Sequence, residues 1–330
     1  MIRIGNLFFE AIKDWKKNPE KYLGRPKLPK YKSKDGRSIL ILTNQNAKLK
    51  GDTLFFPKIF NNFTKKIVCA NKDNFVSFQQ VRFVPNRNHI VMEVVYNVEI
   101  SDIKKEDNGR YLAIDIGVNN LATITNNFRE SPIIINGKGL KSVNKYYNKQ
   151  VSHYRGIAKR VNKSDCTHRM DRLTTKRNQK IDDYMHKTSR YIVDYAIRND
   201  VSTIVIGKNN GWKQNSDMGK AVNQTFTQIP FARLIDMITY KAEEYGISVI
   251  TTEEAYTSGT SFLDEEMPIK ENYDKSRRVY RGLFQANNGK TINADVNGSL
   301  QILKKVFPDA YSNGIEGVAL HPFVVNACSV

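Results

Sequence analysis

The chain has only three cysteines in 330 residues, Cys69, Cys166 and Cys328, and no two of them form a CxxC pair. That spacing excludes a disulfide framework and argues against a cysteine-rich zinc site. Long apolar runs are lacking as well. The opening stretch MIRIGNLFFEAIKDWKK carries Glu10 and Asp14 within its apolar part, so it does not read as a secretory signal. No run reaches the length of a membrane-spanning helix, and a cytoplasmic location is the expectation. Acidic residues are also in deficit: 33 Asp and Glu face 52 Lys and Arg, leaving a net charge of +19. Such an excess calls for a polyanionic partner, because each neutralised phosphate releases counterions into bulk. A membrane-surface role needs an amphipathic apolar stretch or a lipidation signal beside the charge, and neither is found.

Three regions differ in texture. Residues 1–37 read as a basic helix and loop segment, with a short helix over 7–17 closed by Pro19. From Lys16 to Arg37, nine Lys or Arg stand against two acids, interleaved with Tyr22, Tyr31 and three prolines. That composition cannot bury a core. It reads as a solvated loop or as a strip that tracks a phosphate backbone, with Arg25, Lys27, Lys30 and Lys32 as the candidate contacts. Residues 38–105 change to the period of strands: ILILT, TLFF, KKIVCA, FVSFQQVRFV and HIVMEVVYNVEI, separated by Asn, Asp, Gly and Lys. A small antiparallel barrel or meander is expected here; barrels of this kind often bind oligonucleotides, but such a fold alone settles no function.

Residues 106–330 alternate strands and helices, with strands expected at YLAIDI (111–116), LATIT (121–125), PIIIN (132–136), TIVIG (203–207) and SVITT (248–252). Between the third and fourth, Leu140, Val143, Tyr147, Val151, Tyr154, Ala158 and Val161 recur at helical steps. Leu173, Ile181, Tyr184, Tyr191 and Tyr195 do so after a break near Ser164. The result is a long helical hairpin whose other faces are basic. A solvated face is the default for such charge, but the excess of one sign over two helices favours a nucleic-acid-facing surface. Arg177, Lys187 and Arg190 are its candidate contacts. Lys213, beside Trp212, and Arg278 and Arg281, before RGLF, are further candidates.

Chemistry concentrates in a few acids. Asp115 closes the strand YLAID and is followed by Gly117. Asp295 lies in INADVNGSLQILKK, where Asn293 is a plausible N-cap; the first turn of the helix would then favour ionised Asp295. Glu253 and Glu254 end the strand GISVITTEE. Successive strand residues face opposite sides, so one of the pair should point into a shared site, and Glu254 is preferred. Clustered carboxylates are the usual protein ligands of hard cations, and two Mg²⁺ ions about 3.5–4 Å apart clamp both oxygens of a phosphodiester displacement. Taken singly, Asp115 and Asp295 have ordinary structural readings. Asn297 reads as a helper of a metal shell or as a turn cap.

The joint pattern resembles the TnpB family, the OrfB-type proteins of insertion sequences related to type V CRISPR effector nucleases. The resemblance is carried by KDWKKNPEKYLGRPKLPKYKSKDGR, AIDIGVNNLAT, KRNQKIDDYMHKTSRYIVD, TIVIGKNNGWKQ, TEEAYTSGTSFLDEE, YRGLFQANNGKTINADVNGSLQILKK and GIEGVALHPF, in the family's order. It implies an RNase H-like (RuvC) nuclease domain with an inserted helical hairpin, preceded by the small barrel. It implies an RNA-guided DNA endonuclease that uses Mg²⁺ or Mn²⁺, two ions, with a transposon-derived guide RNA and target DNA as partners. The protein is expected to act as a monomer. By position, Asp115 matches the first RuvC carboxylate and Asp295 the third.

Three departures from the family pattern matter. Many members carry the second carboxylate in an IVIEDLN-like strand, where TIVIGKNNGWKQ here has Gly207. In a subgroup with the IGKN form, the glutamate stands on the neighbouring strand, where EEAYTS stands here. Members often hold a four-cysteine zinc loop after YTS, but residues 259–281 contain no cysteine, and no zinc is expected. Finally, the chain starts where members are already well advanced, so an N-terminally shortened form with impaired guide and target recognition is the expectation. The alternative is a nuclease-inactive nucleic-acid-binding protein or repressor derived from the same family.

Overall fold

The computed structural model describes residues 2–28, 36–67, 75–99, 104–209, 220–280, 282–312, 314 and 321–327. The chain divides into two compact units, Met1–Cys69 with Ser77–Asn97, and Ala70–Val76 with Val98–Val330.

The first unit opens with helix α1 (Ile2–Lys17), longer at its start than the periodicity suggested, and a single 3₁₀ turn at Pro19–Lys21 follows it. Its strands are β1 (Leu40–Thr43), β2 (Lys48–Lys50), β3 (Thr53–Phe55), β4 (Thr64–Lys66), β5 (Phe75–Asn86) and β6 (His89–Val98). They form two antiparallel three-stranded sheets, ordered β1-β5-β6 and β2-β3-β4. Among the described residues the strands thus form two separate ladders, of which β2-β3-β4 is a meander. β2, β3 and β4 have three residues each, too short to continue the longer ladder, and the two sheets share only a small core of Leu42, Ala47, Leu54, Phe56 and Val81.

The second unit runs β7 (Tyr111–Asp115), β8 (Asn120–Asn126), β9 (Ile133–Asn136), α2 (Lys138–Asn162), α3 (His168–Arg198), β10 (Thr203–Gly207), α4 (Lys220–Thr227), α5 (Phe231–Glu243), β11 (Ser248–Thr252), β12 (Leu283–Gln285), β13 (Thr291–Asn293), α6 (Ala294–Val306) and β14 (Phe323–Val325). Its mixed sheet has the order β11-β10-β7-β8-β9-β14. β7, β8 and β9 form an antiparallel meander, while β10 runs parallel to both β7 and β11. Parallel neighbours need crossovers, and α2 with α3, which follows β9, carries the chain back across the sheet so that β10 can lie beside β7. β14 adds a parallel edge beside β9. Phe323 and Val324 stay exposed, so this strand is held by its ladder rather than by burial.

Period-two alternation decides where chemistry can lie. Leu112 and Ile114 of β7 and Ile204 and Ile206 of β10 enter a core with Ile181, Met185 and Ile192 of α3 and Leu234 and Ile238 of α5. The residues between them, Ala113 and Val205, pack on Ile302 and Leu303 of α6. Asp115, in phase with Ala113, therefore shares the face covered by α6. Ser299 ties that helix down: its Oγ donates to the carbonyls of Ala113 and Thr123, each at 3.1 Å.

The hairpin follows the sequence pattern with one exception. Leu140, Val151 and Ala158 are buried, but Val161, in the last turn of α2, is 74% exposed. Among the described residues, no helix is long and apolar enough to cross a membrane.

Candidate active site

Three of the four singled-out acids come together at one end of the sheet. Asp115 terminates β7, Asp295 lies in the first turn of α6, and Glu254 follows β11. α6 starts where it does because Asn293 caps it: its side-chain Oδ1 accepts from the N–H groups of Asp295 (3.0 Å) and Val296 (3.2 Å). The helix then passes so close to β7 that a Cβ on Gly298 would lie 3.0 Å from Asp115 Oδ2. Glu254 reaches the same end from the neighbouring strand. A Cβ on Gly207, at the end of β10, would lie 2.6 Å from Glu254 Oε1.

Electrostatics report the convergence independently. Burial pushes the Asp115 carboxyl well above the usual carboxylate range, and the charges of Glu254 and Asp295 push the same way, with Arg278 opposing. Burial raises the Glu254 carboxyl to about 7. Its Oε1 is buried without a hydrogen-bond partner, while Oε2 accepts from Asn209 Nδ2 at 3.0 Å. Asp295 is turned to other groups: its Oδ2 accepts from Asn120 Nδ2 at 2.7 Å, and its Oδ1 lies 3.6 Å from Arg278 Nη2. The acids are thus neighbours rather than a closed cage. Among the described residues, no three His, Cys, Asp or Glu side chains are arranged as a ready-made ion site. The donor set nevertheless suits a hard cation, being carboxylate oxygens, one of them buried with its lone pairs unused.

Glu253 does not join the group. Its side chain is exposed, and its carbonyl accepts from Lys305 Nζ at 2.9 Å. Asn297 also proves to be a fastener rather than part of a metal shell. Its Nδ2 donates to the Thr260 carbonyl (2.8 Å), and its Oδ1 accepts from the Phe262 N–H (2.9 Å).

The cysteine-free segment after Thr257 is organised around Arg277. Its Nη1 lies 2.8 Å from Glu266 Oε1 and 3.7 Å from Asp264 Oδ2, and its Nε 3.8 Å from Asp274 Oδ2. Fixing Arg277 delivers Arg278, the next residue, to Asp295.

The other basic candidates divide. Arg177 is consumed inside the fold, donating to Asn144 Oδ1, Asn178 Oδ1 and the Gln228 carbonyl. Arg190 pairs with Asp194 at 2.9 Å and donates to Tyr245. Arg177 thus ties α3 to α2, whereas Arg190 keeps an exposed side chain between Asp194 of its own helix and Tyr245. Lys187 lies 3.9 Å from Asp183, a loose pair that leaves its amine accessible. Arg25 and Lys27 are exposed, with Arg25 6.0 Å over the Trp15 ring. Lys30, Lys32, Lys213 and Arg281 lie outside the described residues. Sequence reasoning missed Asn120, Asn209 and Lys305. Asn209 alone had a visible signal, as a polar side chain two residues past a strand that ends in glycine.

Two family models match the chain, from the end of the first unit through most of the second. One, OrfB_IS605, described as a probable transposase, matches residues 92–213; the other, described as Cas12f1-like, TNB domain, matches residues 231–302. Over these two stretches the chain is similar to TnpB-type proteins. It is 33% identical over 118 residues to the CRISPR-associated endodeoxyribonuclease Cas12f1 of Sulfoacidibacillus thermotolerans, a match covering 36% of this chain and 25% of that protein. It is 24% identical over 277 residues to the CRISPR-associated endodeoxyribonuclease Cas12f2 of Micrarchaeota archaeon (strain CG1_02_47_40), covering 79% and 47%. The TnpB-like protein ORF457 of Acidianus two-tailed virus is 23% identical over 210 residues, covering 62% and 43%. The chain thus spans between a quarter and about half of these relatives. A cryo-EM structure of a Cas12f1-sgRNA-target DNA complex aligns with a TM-score of 0.45 at 17% identity, over 88% of this chain and 74% of that one.

Proposed function

We propose that this protein is an RNA-guided, divalent-metal-dependent DNA endonuclease with an RNase H-like catalytic unit. The observation that carries the reading is the meeting of Asp115, Glu254 and Asp295, 180 residues apart from first to last, at one end of a sheet on the face covered by α6. The strand order, with an antiparallel meander beside two parallel strands, supports the RNase H-like assignment. The net charge of +19 supports nucleic-acid partners. The printed names of two relatives, endodeoxyribonucleases, and of a neighbour bound to sgRNA and target DNA point to guide RNA and DNA as those partners.

In this reading Asp115, Glu254 and Asp295 hold two Mg²⁺ or Mn²⁺ ions. Bound there, such ions supply a nucleophilic hydroxide and stabilise the charge that develops on the phosphodiester oxygens. The chain's own groups set the stage for this. Burial and mutual repulsion leave the Asp115 and Glu254 carboxylates short of countercharge, which favours capture of a cation. Asn120 fixes the direction of Asp295. Arg278, 3.6 Å from Asp295, supplies a fork of N–H donors where a phosphate would approach.

The test is cleavage of a guide-matched DNA target in Mg²⁺ by the wild type and by Asp115→Asn, Glu254→Gln and Asp295→Asn. The wild type should cut and the three variants should not. Equal cutting by all four proteins would remove the carboxylate mechanism. Retention of guide RNA with no cutting by the wild type would leave a nuclease-inactive binding protein.

A further inference from the structure

β10 runs between β7 and β11, yet it ends on a residue with no side chain, Gly207. The space is not empty. A Cβ at Gly207 would meet Glu254 Oε1 at 2.6 Å and Glu254 Cγ at 2.8 Å, and also Ile302 Cδ1 at 2.6 Å. Glu254 therefore lays its carboxylate where a side chain from β10 would otherwise go. A glutamate reaching across a neighbouring strand end has three rotatable bonds to fix, and a loosely held ligand loses affinity through that freedom.

Asn209 removes the freedom from both ends. Its Oδ1 accepts from the Glu254 N–H at 3.0 Å, and its Nδ2 donates to Glu254 Oε2 at 3.0 Å. One planar amide thus holds the backbone and the carboxylate of the same residue. The grip is also neutral. A lysine or arginine in that place would cancel the carboxylate charge, whereas the amide orients it and leaves the charge intact. With Oε2 engaged, the oxygen left over is Oε1, which is buried and has no hydrogen-bond partner. Support comes from the helix that carries Asp295: Lys305 Nζ donates to the carbonyls of Glu253 (2.9 Å) and Ala255 (3.2 Å), on either side of Glu254.

We propose that Asn209 is a positioning residue of the cation site. It holds Glu254 in the volume that Gly207 leaves open and, by occupying Oε2, presents Oε1 to a divalent cation shared with Asp115. The inference rests on the carboxylate site described under Proposed function. Groups that orient a metal ligand through a hydrogen bond typically contribute about 10- to 100-fold in metal affinity.

The experiment is thermal denaturation of the full chain titrated with MnCl₂, which reads cation binding without any turnover. The wild type should gain melting temperature with Mn²⁺. Asn209→Ala should raise the half-saturating concentration by about 10- to 100-fold. Asn209→Ser, which keeps a hydroxyl for the Glu254 N–H but loses the donor to Oε2, should do the same while melting like wild type in EDTA. The double variant Asn209→Ala/Glu254→Gln should bind Mn²⁺ no more weakly than Glu254→Gln alone, because Asn209 acts only through that carboxylate. An Asn209 effect of equal size in the Glu254→Gln background would overturn the proposal. So would wild-type affinity in Asn209→Ala and Asn209→Ser alongside a loss in Glu254→Gln, and that result would leave the carboxylate site standing. A wild type whose melting ignores Mn²⁺ would bring down the site and this inference together.

Discussion

In the first unit, strands pair antiparallel around a few buried side chains, mostly between sequence neighbours but with β1 on β5, and Ile39, Ile41, Ile59, Phe63 and Ile90 remain exposed. In the second, the sheet is covered on both faces, by α3 and α5 on one side and by α6 on the other. The difference lies in connectivity. Short antiparallel loops join what is already adjacent, so they bring together residues that are close in sequence. Parallel strands demand crossovers, and each crossover carries a distant segment back to the sheet. Asp115, Glu254 and Asp295 are neighbours for that reason. They lie where the connections on either side of β7 diverge, outside the carboxyl end of its strand, which is where sheets of this kind bind ligands. The lesson is that chemistry belongs to the second unit, whereas the first offers surface.

The sharpest way to break that division is to disable the chemistry and ask whether the surface notices. Asp115→Asn should lower guide-matched cleavage by about a thousandfold, because it removes a charged ligand at the centre of the group. Retention of guide RNA in a filter or gel-shift assay should stay within about twofold of wild type, since phosphate contacts rather than the acids carry that affinity. Loss of both together would mean that the two roles are not separable.

Core truncations sharpen the comparison next. Leu112 of β7 and Leu54 of β3 are both completely buried, but in very different cores. Leu112→Ala should cost about 3–5 kcal/mol, because close packing on both faces of the sheet prevents collapse into the cavity. Leu54→Ala should cost nearer about 2 kcal/mol, since the thin first unit can relax around it. Hydrogen exchange should localise each loss to its own unit; a spread of the Leu54→Ala effect into β7 and β10 would merge the two.

How much of this was legible in sequence follows the same division. β7, β8, β9 and β10 were readable as short, largely apolar runs of the kind buried strands have, and β11, the partly exposed edge strand, by its β-branched residues. β2, with the sequence KLK, was not readable: it is polar, mostly exposed and made by its partner, and the strand expected at KKIVCA meets β4 only at Lys65 and Lys66. Whether these strands close into a barrel was not legible, because strand period says nothing about ladder closure. At the site, Asp115 and Asp295 stood out by their places at a strand end and a helix start. Asn120, Asn209 and Lys305 did not, because each acts on a residue 45 or more positions away. The relation between Gly207 and Glu254 was visible only through family resemblance; its physical content, a carboxylate filling a glycine's space, needed coordinates.

A pH signature should also belong to the second unit alone. A carboxyl whose folded-state pKa exceeds its unfolded value holds its proton more tightly when folded. Its contribution is fully present below the unfolded value and is withdrawn as pH rises through the folded one. Glu254, raised from 4.5 to about 7, and Asp115, raised in the same sense, should therefore make the protein in EDTA less stable at pH 8 than at pH 5. The loss should be on the order of 1–3 kcal/mol, or a few degrees of melting temperature. Glu254→Gln should remove part of the slope, and Mg²⁺ should restore stability at pH 8 for the wild type but not for Asp115→Asn. A flat profile for the wild type would show that the carboxyls are better solvated than their burial implies.

The smallest effect tests where the division runs inside the helical hairpin. Val161 continues the apolar stripe of α2 in sequence, yet it is 74% exposed, whereas Ile181, near the middle of α3, is buried against the sheet-facing core. The tip of the hairpin has in this respect the texture of the first unit, although its base is core. Val161→Ser should accordingly change stability by less than about 0.5 kcal/mol, while Ile181→Ala should cost about 2–4 kcal/mol. Equal costs, measured by denaturant midpoint, would mean that helical spacing was the better guide and that the apolar stripe is covered along its whole length.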